Sequence, residues 1–211
     1  MGVIARHPTA RRLITEGLRL FVECGFNGTP IVKLEAAAGL APGSGAFYKH
    51  FKSKAALLAA AVEDAAANTH IGAVAFDSLE ETSVEDQARF IARGAWLLFD
   101  AHRDLMLVLN NDVAANAALG PERRSRWLTA GPDLVAGWLR TTDQRLDDPD
   151  ATSLALLDAL TAYWFQLQTS SAPNGIDEER FLRAWIALAT SSQALSAQPA
   201  ANARTKSRGR P

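Results

Sequence analysis

TPIVKLEAAAGLAPGSGAFYKHFKSK, residues 29–54, decides the fold. It contains two short helical patterns separated by a glycine, then a basic exit into a third helix. That is the layout of a helix-turn-helix, whose second helix enters the DNA major groove. Thr29 is expected to cap the first helix, with Pro30 at its first position, where the missing N–H costs nothing. Ile31, Leu34 and Ala38 recur at helical spacing and give one buried face. Gly39 adopts positive φ cheaply and ends the helix, and Leu40 plugs the turn. Pro42 suits the first turn of the next helix. In that helix Phe47 and Phe51 lie four apart on one face, while Ser44, Tyr48 and Lys49 fall on others. Ser53 is placed to cap the helix that follows, with Lys54 in its first turn. Two short helices joined by Ala-Gly also occur in ordinary bundles. The preceding segment favours the helix-turn-helix: Ile14, Leu18 and Phe21 form an apolar stripe that ends at Cys24-Gly25-Phe26.

The run from Leu13 to Leu58 resembles the N-terminal domain of the TetR family of bacterial transcription regulators. The matching elements are LFVECGF (20–26), AAAGL (36–40), FYKHF (47–51) and SKAALL (53–58). Together they are specific, and they cover about a quarter of the chain. The link APGSGA, residues 41–46, departs from the family pattern by being two residues longer. It puts Gly43, Ser44 and Gly45 where side chains normally read bases. Glycines weaken a helix by about 1 kcal/mol each, but they permit close approach of backbone to DNA.

Charge divides along the chain. Residues 1–54 hold eight Lys/Arg against three acids, residues 55–197 hold ten against twenty, and residues 198–211 hold four and no acid. A basic head on an acidic body suits DNA binding at one end. Cys24, the lone cysteine, excludes an intramolecular disulfide framework and is expected to be a buried structural thiol. No apolar run reaches membrane-spanning length and no signal-peptide core follows Arg6 and His7, so a cytoplasmic protein away from the membrane is expected.

Behind the head, a helix is expected from Lys54 to about Thr69 and a loop over 72–82. Ser83 with Asp86 forms a capping box for a helix reaching Ala101. A further helix runs from Arg103 to Ala118. Residues 121–144 form another that Gly131-Pro132 kinks or splits. After the turn 147–150, long helices cover 151–168 and 177–197, the last capped by Asp177 with Glu178 and Glu179 at the positive end of its dipole. Both carry apolar residues on more than one face, where a surface helix of a monomer needs one. The tail 198–211 has no apolar residue larger than alanine and reads as a basic, disordered segment. The class expected is all-α: a helix-turn-helix head over residues 1–53, and a helical bundle over 54–197 for ligand binding and dimerisation.

No nucleophile elbow, phosphate loop, HExxH or CxxC is present, so neither an enzyme nor a cofactor is expected. Asp100, His102 and Asp104 alternate at a helix end, a spacing that points them apart and argues against a metal cluster. The resemblance implies a homodimer, paired through the last two long helices, that represses from a palindromic double-stranded operator and is released by a small apolar or aromatic effector. The DNA-binding residues are then Ser44, Tyr48 and Lys49 at base edges and phosphates, Gly45 in close backbone approach, and Arg12, Thr29, Lys33, His50 and Lys54 on phosphates. The effector set is Trp96, Phe99, Met106, Trp127, Trp138, Tyr163 and Trp164, with Asn110 and Gln166 as polar anchors. A plain aromatic core explains each of these aromatics singly. A helical adaptor without DNA binding, and an all-helical enzyme using the aromatic pocket, are the rival readings.

Overall fold

A computed structural model describes residues 7–76, 82–142 and 146–196. Among them every regular element is helical: α1 (Pro8–Cys24), α2 (Ile31–Ala37), a 3-10 turn (Ala46–Lys49), α3 (Lys54–Phe76), α4 (Val84–Ala101), α5 (Arg103–Asn111), α6 (Val113–Leu119), α7 (Pro121–Thr142), α8 (Pro149–Leu167), a second 3-10 turn (Pro173–Gly175) and α9 (Glu178–Ser196). The fold is all-α, with a helix-turn-helix arrangement at the N-terminus and a helical bundle behind it. No described helix is long and apolar enough to cross a membrane. The expected tail, 198–211, lies outside the described residues.

Packing divides the chain into two compact units. The first comprises Met1–Ser78 and Leu97–Gly131, the second Leu79–Trp96 and Pro132–Pro211. In the first unit one apolar core runs through α1, α2, the 3-10 turn, α3, α5 and α6. Leu13, Leu34, Phe47, Leu57 and Leu58 are among its fully buried members, and truncating any of them to alanine is the kind of change that costs about 2–5 kcal/mol. Gly17 lets α3 lie close to α1, because a Cβ there would meet both Leu57 methyls at 3.2 Å.

Several local expectations change. α2 ends as expected at Gly39 (φ +69°). Leu40 N–H donates to Glu35 O and Gly39 N–H to Ala36 O, the paired bonds of a Schellman ending. Pro30, however, holds the cap position of α2, with no side-chain bond. Thr29 is fully buried, and its hydroxyl donates to the carbonyls of Leu20 and Gly25 instead. α3 runs to Phe76 rather than ending near Thr69. The helix expected over 103–118 breaks at Asp112, whose carboxylate caps α6 through Ala115 N–H at 2.9 Å. α7 continues through Pro132, and the division between the units falls at that residue. Cys24 is exposed rather than buried: it is the last residue of α1, and the Lys33 ammonium donates to its sulfur at 3.0 Å. Ser83 Oγ accepts from Asp86 N–H as expected, while the Ser83 hydroxyl donates to the Asp86 carboxylate. Ser53 and Asp177 cap their helices through Ala56 N–H and Arg180 N–H.

Candidate nucleic-acid interface and the aromatic body

The element that would read bases is short. Pro42 does not open a helix. Residues 41–45 form a turn, with Ser44 N–H donating to Ala41 O, and one 3-10 turn from Ala46 to Lys49 follows. Gly45 is left-handed at φ +73°, ψ 13°, a conformation that costs a residue with a Cβ about 1–2 kcal/mol. The turn is held from beneath by Glu35, which the sequence analysis did not single out. Its carboxylate is buried and accepts Gly43 N–H at 2.7 Å and Phe47 N–H at 3.0 Å. The charge thus satisfies two backbone donors of a link too irregular to pair with itself. Phe47 seals the other side, fully buried and against Phe51.

With the turn fixed, the expected contact residues separate into two groups. Tyr48 is 58% exposed, Lys49 is exposed, and Ser44 is exposed with its Oγ accepting Ala46 N–H. His50 packs against His7, ring centroids 4.7 Å apart, and burial pushes its pKa below the ordinary value, with His7 and Lys49 adding to the shift. Arg12 lies across the turn: its Nη2 sits 2.4 Å from where a Cβ on Gly39 would be. Lys33 is exposed, beside Cys24. Thr29 and Lys54, by contrast, face inward. Thr29 is corrected as a phosphate contact by its complete burial. The Lys54 ammonium donates to Phe26 O and to Thr29 O (2.9 Å) and stands 4.7 Å over the Phe26 ring. Burial lowers the Lys54 pKa, partly offset by Asp112.

Asp112 completes this clasp. Besides capping α6, it accepts Phe26 N–H at 2.6 Å. The turn after α1 is therefore gripped by a cation on its carbonyls and an anion on its N–H. The backbone bonds from Phe26, Ala115 and Ala114 hold the Asp112 carboxyl below its ordinary range against the upward push of burial. Here the body's residues reach the head's backbone within one packed unit.

The expected effector residues are distributed over both units. Phe99 and Met106, in the first, are buried, and Asn110 is exposed and donates to Asn111. The side chain of Trp127 lies outside the described residues. Trp96, Trp138, Tyr163 and Trp164, in the second, are buried, and Gln166 is exposed. Trp96, Tyr163 and Phe181 form one aromatic group, with Tyr163 and Phe181 stacked at 3.9 Å. Their polar ends have internal partners. Trp96 Nε1 donates to Leu160 O, Trp138 Nε1 to Gln87 Oε1, and Tyr163 OH to Ile176 O.

Residues 13–61 match the model of the bacterial regulatory proteins of the tetR family. The match covers the helix-turn-helix head, about a quarter of the chain. It is 40% identical over 53 residues to the HTH-type transcriptional repressor DhaR of Mycobacterium sp. (strain GP1), a match that spans 25% of this chain and 26% of that relative. Among solved structures it is similar to a transcriptional regulator from Pseudomonas aeruginosa PAO1, at 19% identity and a TM-score of 0.72, over 91% of this chain and 95% of that one. It is also similar to AibR, solved in complex with isovaleryl coenzyme A and operator DNA, at 17% identity and a TM-score of 0.61, over 85% and 97% of the two chains. At these identities the solved structures show the fold alone, over the share of the chain that they cover.

Sequence reasoning missed Glu35, inside the matched segment, and Asp112, outside it. Glu35 sits in an apolar helical face next to Leu34, a mismatch of charge and pattern that marks it for a buried role. Asp112 gave the ordinary signature of a helix cap, three residues before Ala115; its second bond, to a residue 86 positions away, left no trace in local sequence.

Proposed function

We propose that the chain is a dimeric repressor that leaves a palindromic operator when a small apolar or aromatic ligand enters its body. The observation that carries this is the exposed Tyr48–Lys49 pair, presented by a turn that a buried Glu35 fixes inside a TetR-family head. Two such heads would occupy successive major grooves about 34 Å apart. Lys49 donates to guanine O6 or N7 as a single point donor, and Tyr48 and Ser44 reach base edges and phosphates. Gly45 allows close backbone approach, and Arg12, Lys33 and His50 flank the turn on the phosphate side. By role the head ends at residue 53 and the body covers 54–197.

Pairing through α8 and α9 is supported by Leu154 and Leu188, large apolar side chains 50% and 67% exposed. Of the effector set proposed from the sequence, Trp96, Trp138, Tyr163, Trp164 and Gln166, which share the second unit, are retained with one condition. Because Trp96, Trp138 and Tyr163 already spend their polar atoms internally, a ligand there meets ring faces rather than donors.

A salt titration of binding to the promoter fragment of the protein's own operon tests the reading. Specific binding that weakens steeply with salt is expected. Absence of any preference among fragments at low salt would sink it. Replacing Tyr48 and Lys49 together with alanine should abolish specific binding and leave the dimer folded; unchanged affinity refutes their assignment. The one-turn recognition element favours a second reading, an adaptor that has lost DNA binding, and the same titration decides between them.

A further inference from the structure

Asp100, His102 and Asp104, expected to point apart, all line one cleft of about 360 Å3 in the first unit. The break between α4 and α5 at His102 turns the chain so that residues on both sides of it face the same space. The volume lies at the lower end of the range for small-molecule sites. Ile14 and Leu18 of α1 and Leu105 of α5 give the cleft apolar surface, while Arg11, Arg103, Asp64 and Asp104 give it charges of both signs.

The ion pairs recorded among the described residues join Arg19 to Glu16 and Glu23, Arg93 to Glu179, and Arg140 to Asp150. None of these pairs includes Arg11, Arg103, Asp64 or Asp104. α5 also begins there with no side-chain cap on its first N–H groups, which leaves an N-terminus suited to a carboxylate. A plain anion would face the aspartates, and a plain cation would face the arginines. A molecule carrying both charges on an apolar body satisfies the lining.

We propose that this cleft binds a small zwitterion of amino-acid or dipeptide size. Its carboxylate lies on Arg103 and the start of α5, its ammonium on Asp64, and its apolar side chain on Ile14, Leu18 and Leu105. The ligand spans α1 and α5. The far end of α5 leads into Asp112, which holds Phe26 N–H at the end of α1. Occupancy therefore shifts α5 along α1 and alters the grip on the turn before α2. The binding stands alone; this coupling rests on the DNA-binding reading above.

Calorimetry on the full chain with L-leucine and leucyl-leucine tests the site, with N-acetyl-leucyl-leucine and leucyl-leucine amide as forms lacking one charge. Saturable binding of a zwitterion is expected, about tenfold or more weaker for each capped form. Arg103→Gln should lose that margin for the zwitterion yet bind the amide as the parent does. Asp64→Asn should do the same for the N-acetyl form. Both positions are exposed, and circular dichroism checks that each variant folds. No saturable heat at millimolar zwitterion, or capped forms that bind equally, overturns the site. A band shift with promoter DNA then reads the coupling, which falls if a bound zwitterion leaves DNA affinity unchanged. If no fragment binds at all, the repressor reading fails while the calorimetry still decides the cleft.

Discussion

The two units are held by different chemistry. In the first, charged side chains grip the backbone: Glu35 takes two N–H groups, Asp112 two, and Lys54 two carbonyls. In the second, the carboxylates of Asp148 and Asp177 only cap their own helices, and the buried and half-buried bonds between its described elements come from neutral donors, with indole N–H groups of Trp96 and Trp185 and the phenol of Tyr163 donating to carbonyls, and Trp138 to an amide. A charged anchor is stronger per bond and leaves more behind when it is removed. An irregular turn that must present side chains in one geometry uses such anchors because helix bonds do not reach it. The aromatic unit needs only that each ring's polar end be satisfied as the apolar face is buried.

Single substitutions can break this contrast. The largest effect is expected from Glu35→Ala, which strands two backbone N–H groups beneath the reading turn. A loss of about 3 kcal/mol in urea unfolding is expected, with specific DNA binding lost even under conditions where the variant is folded. A cost no larger than that of an exposed alanine substitution would show that the buried carboxylate does not hold the turn. Asp112→Ala should cost about 2 kcal/mol, combining a lost cap with the lost bond to Phe26. Asp112→Asn should recover part of it, since an asparagine also caps. Equal losses from both variants would make charge, not geometry, the essential property. In the second unit, Trp138→Phe removes one neutral bond and leaves Gln87 Oε1 without it; about 1 kcal/mol is expected. A larger cost there than at Glu35 would erase the distinction.

Acid and base sharpen the same comparison by smaller amounts. His50 and His102 are both held below the ordinary value of 6.5, chiefly by burial; Asp64 opposes the shift at His102. In the pH range just below 6.5 the unfolded chain therefore binds more protons than the folded one. Their contribution is full above that range and is lost as pH falls through it. Tyr163, in the second unit, is raised above 10.0 by burial and then by Asp177 and Glu178. Its contribution is full below 10.0 and is lost as pH rises. Hydrogen exchange read segment by segment should show α1 and α5 losing protection first in mild acid, and α8 and α9 first in alkali. His102→Gln should flatten the acid limb; the opposite order of loss would refute the assignment.

Legibility in the sequence followed the range of the interaction. The α2 ending at Gly39 and the Ser53 cap are made by residues within five positions of each other, and both were readable. The apolar stripe of α1 was readable in part: of Ile14, Leu18 and Phe21, only Phe21 is fully buried and the other two are half-buried, while Leu13 and Leu20 are the further buried members of that face. Thr29 looked like a cap for α2, yet its hydroxyl satisfies the end of α1, and local pattern does not tell which of two neighbouring helices a threonine serves. Cys24 was expected inside because thiols usually are, but its place at the end of α1 leaves it outside. Of the proposed reading surface, Tyr48 and Lys49 were legible as side chains off the Phe47–Phe51 face, whereas the collapse of the second helix to one 3-10 turn was not.

The sequence by itself determined the all-α class, the position of the helix-turn-helix and the basic sign of the head, because helical period, glycine stops and charge are local or additive properties. Only the tertiary structure decided which polar groups hold the reading turn, that Lys54 faces inward, and that Asp100, His102 and Asp104 share a cleft. Those outcomes depend on which backbone donors and acceptors are left unpaired once the helices have packed, and a buried unpaired group is costly enough to recruit a partner from anywhere in the chain.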